Sequence, residues 1–170
     1  MKRKRIVLGL AAFAALSAVA FAQGFVNINE LLTGYEEVPA VSTTGNGRFD
    51  AKIRKDGAIE WELSYSNLEG NVLQSHIHFA QEGVNGPISV FLCSNLPNPP
   101  AGTQLCPAPP ATISGVIVEA NVLAAGTSGL EAGNLEELLA AMRAGKTYVN
   151  LHTSKWPGGE IRSQIEPGTP

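Results

Sequence analysis

The sequence predicts an all-β protein, an antiparallel Greek-key β-sandwich or barrel with one short helix. Three observations carry this. Turn formers punctuate the chain throughout, with 18 Gly and 11 Pro in 170 residues. The runs between them are short and alternate apolar with polar residues, the period of a strand with one buried face. Only one stretch departs from that period toward a helical one. Many short strands separated by turn signals favour a closed or two-layered antiparallel sheet.

The N-terminus comes first and stands apart. Lys2, Arg3, Lys4 and Arg5 precede an apolar run from Ile6 to Ala20, and "AFA" at Ala20–Ala22 offers small residues around a cleavage point. This is the layout of a secretory leader removed after Ala22. The run is shorter than the roughly 20 residues that span a bilayer, and no cysteine follows it to take a lipid. The expected organisation is a leader over 1–22, an extension over 23–30, one domain over 31–166 and a frayed tail over 167–170. The mature product is expected in a periplasm or outside the cell, with no membrane span.

The chain has 12 Lys+Arg and 15 Asp+Glu, and losing the four basic residues of the leader leaves a mature net charge near −7. Such an acidic product is poorly suited to nucleic acid or anionic lipid. The expected partners are a metal ion or an extracellular protein that the sequence does not name.

"RFDAKIR" places Phe49, Ala51 and Ile53 on one side, and "AIEWELSY" places Ile59, Trp61, Leu63 and Tyr65 on one side. The Asp56-Gly57 turn between them predicts a hairpin. "ISVFL" and "ISGVIVEA" are further strands, on either side of a Pro-rich loop bounded by Cys93 and Cys106. An exported chain with two cysteines reads as disulfide-bonded. The exception to the strand period is "NLEELLAAMRAG", with Leu135, Leu138, Leu139 and Met142 at helical spacing. Asn134 suits the N-cap, Glu136 and Glu137 the first turn, Arg143 the last, and Gly145 the stop. This predicts a helix over about 134–144, its stripe packed on the sheet rather than offered to a partner. "TYVNLHT" and "GEIRSQI" predict a second hairpin through "SKWPGG".

Three histidines are present, and two of them fall in "SHIHF". In a strand, His76 and His78 share a face opposite Ile77 and Phe79. In "TYVNLHT", His152 shares a face with Asn150 and Tyr148, away from Val149 and Leu151. All three histidines therefore avoid the core-facing positions. If the two strands meet, three imidazoles converge with a coordination position left open, which suits Zn²⁺ or Cu²⁺. The competing reading is that they hydrogen-bond to loops and fasten the strands. Glu160 and Arg162 alternate on one face of the last strand. They are expected as an exposed or cross-strand ion pair, or with Asn150 as groups that orient a histidine from behind. Ser75 and Ser154 lie near histidines, but neither sits in G-x-S-x-G, so a serine hydrolase is not expected. "EGVNGP" is a turn with no helix start after it, which argues against a phosphate cradle.

Three strings in combination carry a family resemblance: "LLTGYEEVPAVSTTGNGRF", "SHIHFAQEGVNGPISVFL" and "LLAAMRAGKTYVNLHTSKWPGGEIRSQI". The chain resembles the CHRD domain, a module named from chordin and found in many secreted bacterial proteins, over about Leu31 to Ile165. Two departures concern backbone shape: Ala40 stands for the second proline of E-V-P-P-V, and Ser163 for the glycine of G-E-I-R-G-Q. The resemblance implies an extracellular β-sandwich without a defined chemistry. A looser likeness, to the Cu/Zn superoxide dismutases and their H-x-H copper strand, would make His76, His78 and His152 copper ligands. No bridging histidine or zinc-site aspartate has a counterpart, so a binuclear enzyme is excluded. Three readings follow: a non-enzymatic binding module whose histidines hold one copper or zinc ion, a structural or interaction domain without metal, and a mononuclear copper redox enzyme.

Overall fold

A computed structural model of the chain describes residues 27–166. The leader expected over 1–22 and the tail expected over 167–170 lie outside the described residues. Eight strands form one all-antiparallel sheet: β1 (Asn27–Thr33), β2 (Asn46–Ile53), β3 (Ile59–Ser66), β4 (Val72–Phe79), β5 (Ile88–Ser94), β6 (Ala111–Ile117), β7 (Thr147–Thr153) and β8 (Ile161–Ile165). Their order is β5-β4-β7-β8-β1-β2-β3-β6. The sheet curls into a nearly closed barrel, and the out-of-sequence neighbours β3·β6, β4·β7 and β8·β1 come from Greek-key connections.

The alternating runs form as their periods dictate. β2 and β3 make the Asp-Gly hairpin, with Phe49 opposite Leu63 and Ala51 opposite Trp61. Inward residues from every strand fill the barrel, among them Ile28, Leu32, Phe49, Leu63, Ile77, Val90, Val149, Leu151 and Ile161. Helix α1 (Leu135–Arg143) adds Leu135, Leu138, Leu139 and Met142 to the same core, so its apolar stripe packs on its own sheet. Asn134 caps it by accepting from the Glu137 amide at 3.2 Å, and Gly145 ends it with φ of 64°.

The sheet takes up the chain four residues earlier than the expected domain start at Leu31. β1 begins at Asn27 and pairs along its length with β2. The reason is visible in "NINELLT": Ile28 and Leu32 are the inward pair, 2% and 0% exposed, while Leu31 is 65% exposed.

Cys93 and Cys106 form the expected disulfide. The loop it closes bridges the barrel's two edge strands: the Ser94 amide of β5 donates to the Gln104 carbonyl at 2.9 Å, and Gln104 Nε2 donates to the Ser114 carbonyl of β6 at 3.1 Å. Chain entropy alone makes the closure worth about 3 kcal/mol. Chemical denaturation with and without reductant should show a loss of that order, while equal midpoints would mean the loop is held without it.

Candidate metal centre

The histidines sit where β4, β7 and β8 run side by side. In β7 the residues Val149 and Leu151 enter the barrel core, so Tyr148, Asn150 and His152 point out of it. In β8 Ile161 and Ile165 are inward, leaving Arg162 and Gln164 outward. In β4 Ile77 is inward, and His76 and His78 join the outward set. The β4–β7 register sets His76 directly opposite Asn150, Gln74 opposite His152 and His78 opposite Tyr148. A register irregularity between Val72 and Gln74 lets Val72 also reach the core without disturbing the histidine face.

This outer face is not open to solvent. His76, His78 and His152 are 0%, 7% and 7% exposed. Three loops cover them, and two of these each fasten a ring. The Gly86 carbonyl takes His78 Nδ1 at 2.9 Å, and the Pro157 carbonyl takes His152 Nδ1 at 2.9 Å. Carbonyls only accept, so both rings carry hydrogen on Nδ1 and a lone pair on Nε2. His76 Nδ1 lies 3.3 Å from His152 Nε2. The Nε2 atoms of His76 and His78 are buried with no hydrogen-bond partner.

One nitrogen from each of the three rings fits within a 4.8 Å group, and the cluster could hold a metal ion. Two nitrogens 3.3 Å apart that share an ion at 2.0–2.1 Å subtend about 105–110° at it, close to tetrahedral. The widest pair must close by about 1.5 Å at most, a small rotation of a ring. Burial disfavours the imidazolium at all three positions: it takes His76 down to about 2 and His78 to about 4, and lowers His152. The neighbouring imidazoles push His76 further in the same direction. The rings are thus neutral ligands well into acid, where exposed histidines are already charged.

Behind the rings lies a stack. His78 lies parallel to Tyr148 with centroids 4.6 Å apart, and the Arg162 guanidinium covers the other side of Tyr148 at 3.4 Å. Arg162 donates to Asn85 Oδ1 and to the Val84 carbonyl, each at 3.0 Å. Asn85 Nδ2 donates to the Val38 carbonyl at 2.8 Å, and the Gly86 amide to Tyr148 Oη at 3.2 Å. A side chain on Gly86 would overlap the Phe79 carbonyl, which explains glycine there.

Glu160 and Arg162 differ from the exposed or paired arrangement expected of them. They are 0% and 1% exposed and bind different partners. Glu160 Oε1 accepts from Thr43 Oγ1 and the Glu69 amide, both at 2.7 Å, and Oε2 from Thr153 Oγ1 at 2.6 Å. It touches no histidine; it ties two loops to the residue after His152. Strand alternation could not reveal this, because loops cover the outward face of β8 and remove the solvent that normally lies there.

Glu37 is the residue the sequence reading passed over. It is 5% exposed, with Oε1 lacking a partner, and it hydrogen-bonds the Asn150 side chain. Burial raises its carboxyl to about 7, against the opposing pull of Arg162. A side chain on Gly159, whose φ is 133°, would overlap the Glu37 carboxylate. The available signal was "EVPAV", a motif with an acid beside two apolar residues and a proline.

Fold and site together define an antiparallel β-barrel module with a histidine-centred polar cluster on its outer face, under loops, rather than in its lumen. A family model described as CHRD domain matches residues 28–165. The chain therefore belongs to the CHRD domain family, and the match begins at Ile28, inside β1. Comparisons with curated proteins and with solved structures give no significant match. The three motif strings now have a common location. E-V-P brings Glu37 and Val38, N-G-P brings Asn85 and Gly86, and the last string brings Tyr148 to Arg162, all to the histidines.

Proposed function

We propose that this is a secreted or periplasmic, non-enzymatic binding module whose His76, His78 and His152 hold one copper or zinc ion. The observation that carries the reading is three buried imidazoles that bring one nitrogen each within 4.8 Å of one another, with His78 Nε2 lacking any protein partner. A buried polar atom without a partner is costly; an ion on His78 Nε2 removes one such atom and takes one lone pair from each of the other two rings. Three imidazoles suit Cu²⁺ and Zn²⁺ over harder ions. Asn150 and Arg162 support the rings, Asn150 through His152 and Arg162 through the Tyr148–His78 stack. Glu160 steadies the loop that carries the Pro157 carbonyl. The depth of the cluster favours holding an ion over turning over a substrate, so a copper redox enzyme is the weaker reading. The Cys93–Cys106 bridge accords with an oxidising compartment.

A purely structural cluster has one observation in its favour: two rings already bond loop carbonyls. Metal analysis of the exported protein, followed by stripping and calorimetric titration with Cu²⁺ and Zn²⁺, separates the two. The expected result is one ion per chain with Kd below about 1 μM, lost in His76→Ala and His152→Ala. Binding weaker than that for both ions would leave only the structural reading. Superoxide turnover by the copper-loaded protein would instead favour the enzyme.

A further inference from the structure

We propose that Asn150 completes this site as a fourth ligand, through its amide oxygen, and that Glu37 is the positioning residue that aims it. The inference rests on the metal reading above and adds a donor to it.

Three placements point to Asn150. It lies directly across the strand pair from His76. Its Oδ1 is 3.0 Å from His152 Nε2. Its side chain also lies within interaction reach of His78. One amide group therefore faces all three rings, and Asn150 is only 3% exposed.

The contact with His152 is incompatible with an ordinary hydrogen bond. Nδ1 of His152 gives its hydrogen to the Pro157 carbonyl, so Nε2 presents a lone pair. An amide oxygen also presents lone pairs. Two acceptors 3.0 Å apart in a dry site repel unless a proton or a cation lies beside both. A cation at about 2.0–2.2 Å from each atom satisfies both, with an angle near 90° between them.

The amide could relieve the conflict by turning over and donating its NH₂ group to His152. Glu37 opposes that turn. The Asn150 side chain interacts with the Glu37 carboxyl in the sense of a donor, which turns the NH₂ group toward Glu37 and the oxygen toward the rings. Gly159, with no side chain, leaves the space that this carboxyl needs. The result is a three-nitrogen, one-oxygen donor set, neutral in itself, with the Glu37 carboxyl one residue removed.

The test uses Cu²⁺ as the probe, with titration and electron paramagnetic resonance on the wild-type chain and on Asn150→Ala, Asn150→Asp and Glu37→Gln. Asn150→Ala is expected to bind at least about tenfold more weakly, with a changed copper hyperfine splitting. Asn150→Asp keeps an oxygen at the same place and is expected to restore affinity and a wild-type-like oxygen-bound spectrum. Glu37→Gln, which permits the amide to turn, is expected to weaken binding by about tenfold with no loss of fold. If the wild type binds copper and Asn150→Ala keeps both its affinity and its spectrum, the fourth-ligand assignment is overturned while the three-histidine reading stands. If Asn150→Ala does not fold, a wild-type spectrum and affinity in Glu37→Gln overturn the positioning role, and an unrestored Asn150→Asp overturns the ligand. A wild type that takes up no copper or zinc overturns the metal reading itself and this inference with it.

Discussion

Replacing Glu160 with alanine is expected to destabilise the protein by about 2–4 kcal/mol, a fall of roughly 10 °C in the unfolding midpoint for a domain of this size. The carboxylate receives three short hydrogen bonds, from Thr43, Thr153 and the Glu69 amide. Hydrogen bonds to a charged acceptor are the stronger kind. The two threonine hydroxyls can rotate toward other acceptors, but the Glu69 N–H is fixed by its backbone and stays unpaired. Glu160→Gln should cost about half as much. Its remaining oxygen can keep the two-donor position at Thr43 and Glu69, and its NH₂ can face a hydroxyl that turns to accept. Differential scanning calorimetry of both variants checks the order. An alanine variant within 1 °C of wild type would mean that the loops after β1 and β3 and the β7–β8 turn are held by something other than this residue.

The metal-free protein is expected to lose stability steeply as pH falls from about 6.5 toward 4. All three histidines have folded-state values below the ordinary 6.5, because burial penalises the charged ring. The unfolded chain therefore binds protons in this window that the folded one refuses, and stability must rise with pH across it. Glu37 works the other way. Its carboxyl is raised from 4.5 to about 7, so between those values the folded state holds a proton the unfolded chain has released. His76 and His78 withhold two protons against the one that Glu37 keeps, and His152 adds to them. The net is at least one, or about a tenfold or greater loss in the folding equilibrium per pH unit through the middle of the window. His78 stops contributing near pH 4, where its ring charges even in the folded state. Urea midpoints measured from pH 7.5 to 4.5 on stripped protein would show the fall. A flat profile would mean that the rings are hydrated and not buried as described.

The fold was legible where local chemistry decides it. The Asp56-Gly57 hairpin, the β7–β8 hairpin and the Asn134-capped helix follow from period and turn residues within a dozen positions of each other. The outward placement of His76, His78 and His152 was legible too, since Ile77, Val149 and Leu151 fix the alternation of their strands. The meeting of β4 with β7 was not derivable from either strand, because some seventy residues separate them and nothing local selects the partner. The burial of the outward face was hidden for the same reason: the loops carrying Gly34 to Val41, Gln81 to Pro87 and Trp156 to Gly159 settle on it from three places in the chain. That burial turns Glu160 from a surface charge into a loop anchor. It also brings Glu37, a glutamate in a turn by composition, against Asn150. The family motifs held this information without stating it, since their spaced residues are the ones that touch across the cluster.

The central claim is that three imidazoles share one ion, and a crystal structure of the protein soaked in or grown with Zn²⁺ tests it most directly through anomalous scattering at the zinc edge. The account predicts one strong peak per chain, lying about 2.0–2.1 Å from a ring nitrogen of each of His76, His78 and His152. A map with zinc only at surface carboxylates, and with the three rings still hydrogen-bonded among themselves, would contradict it.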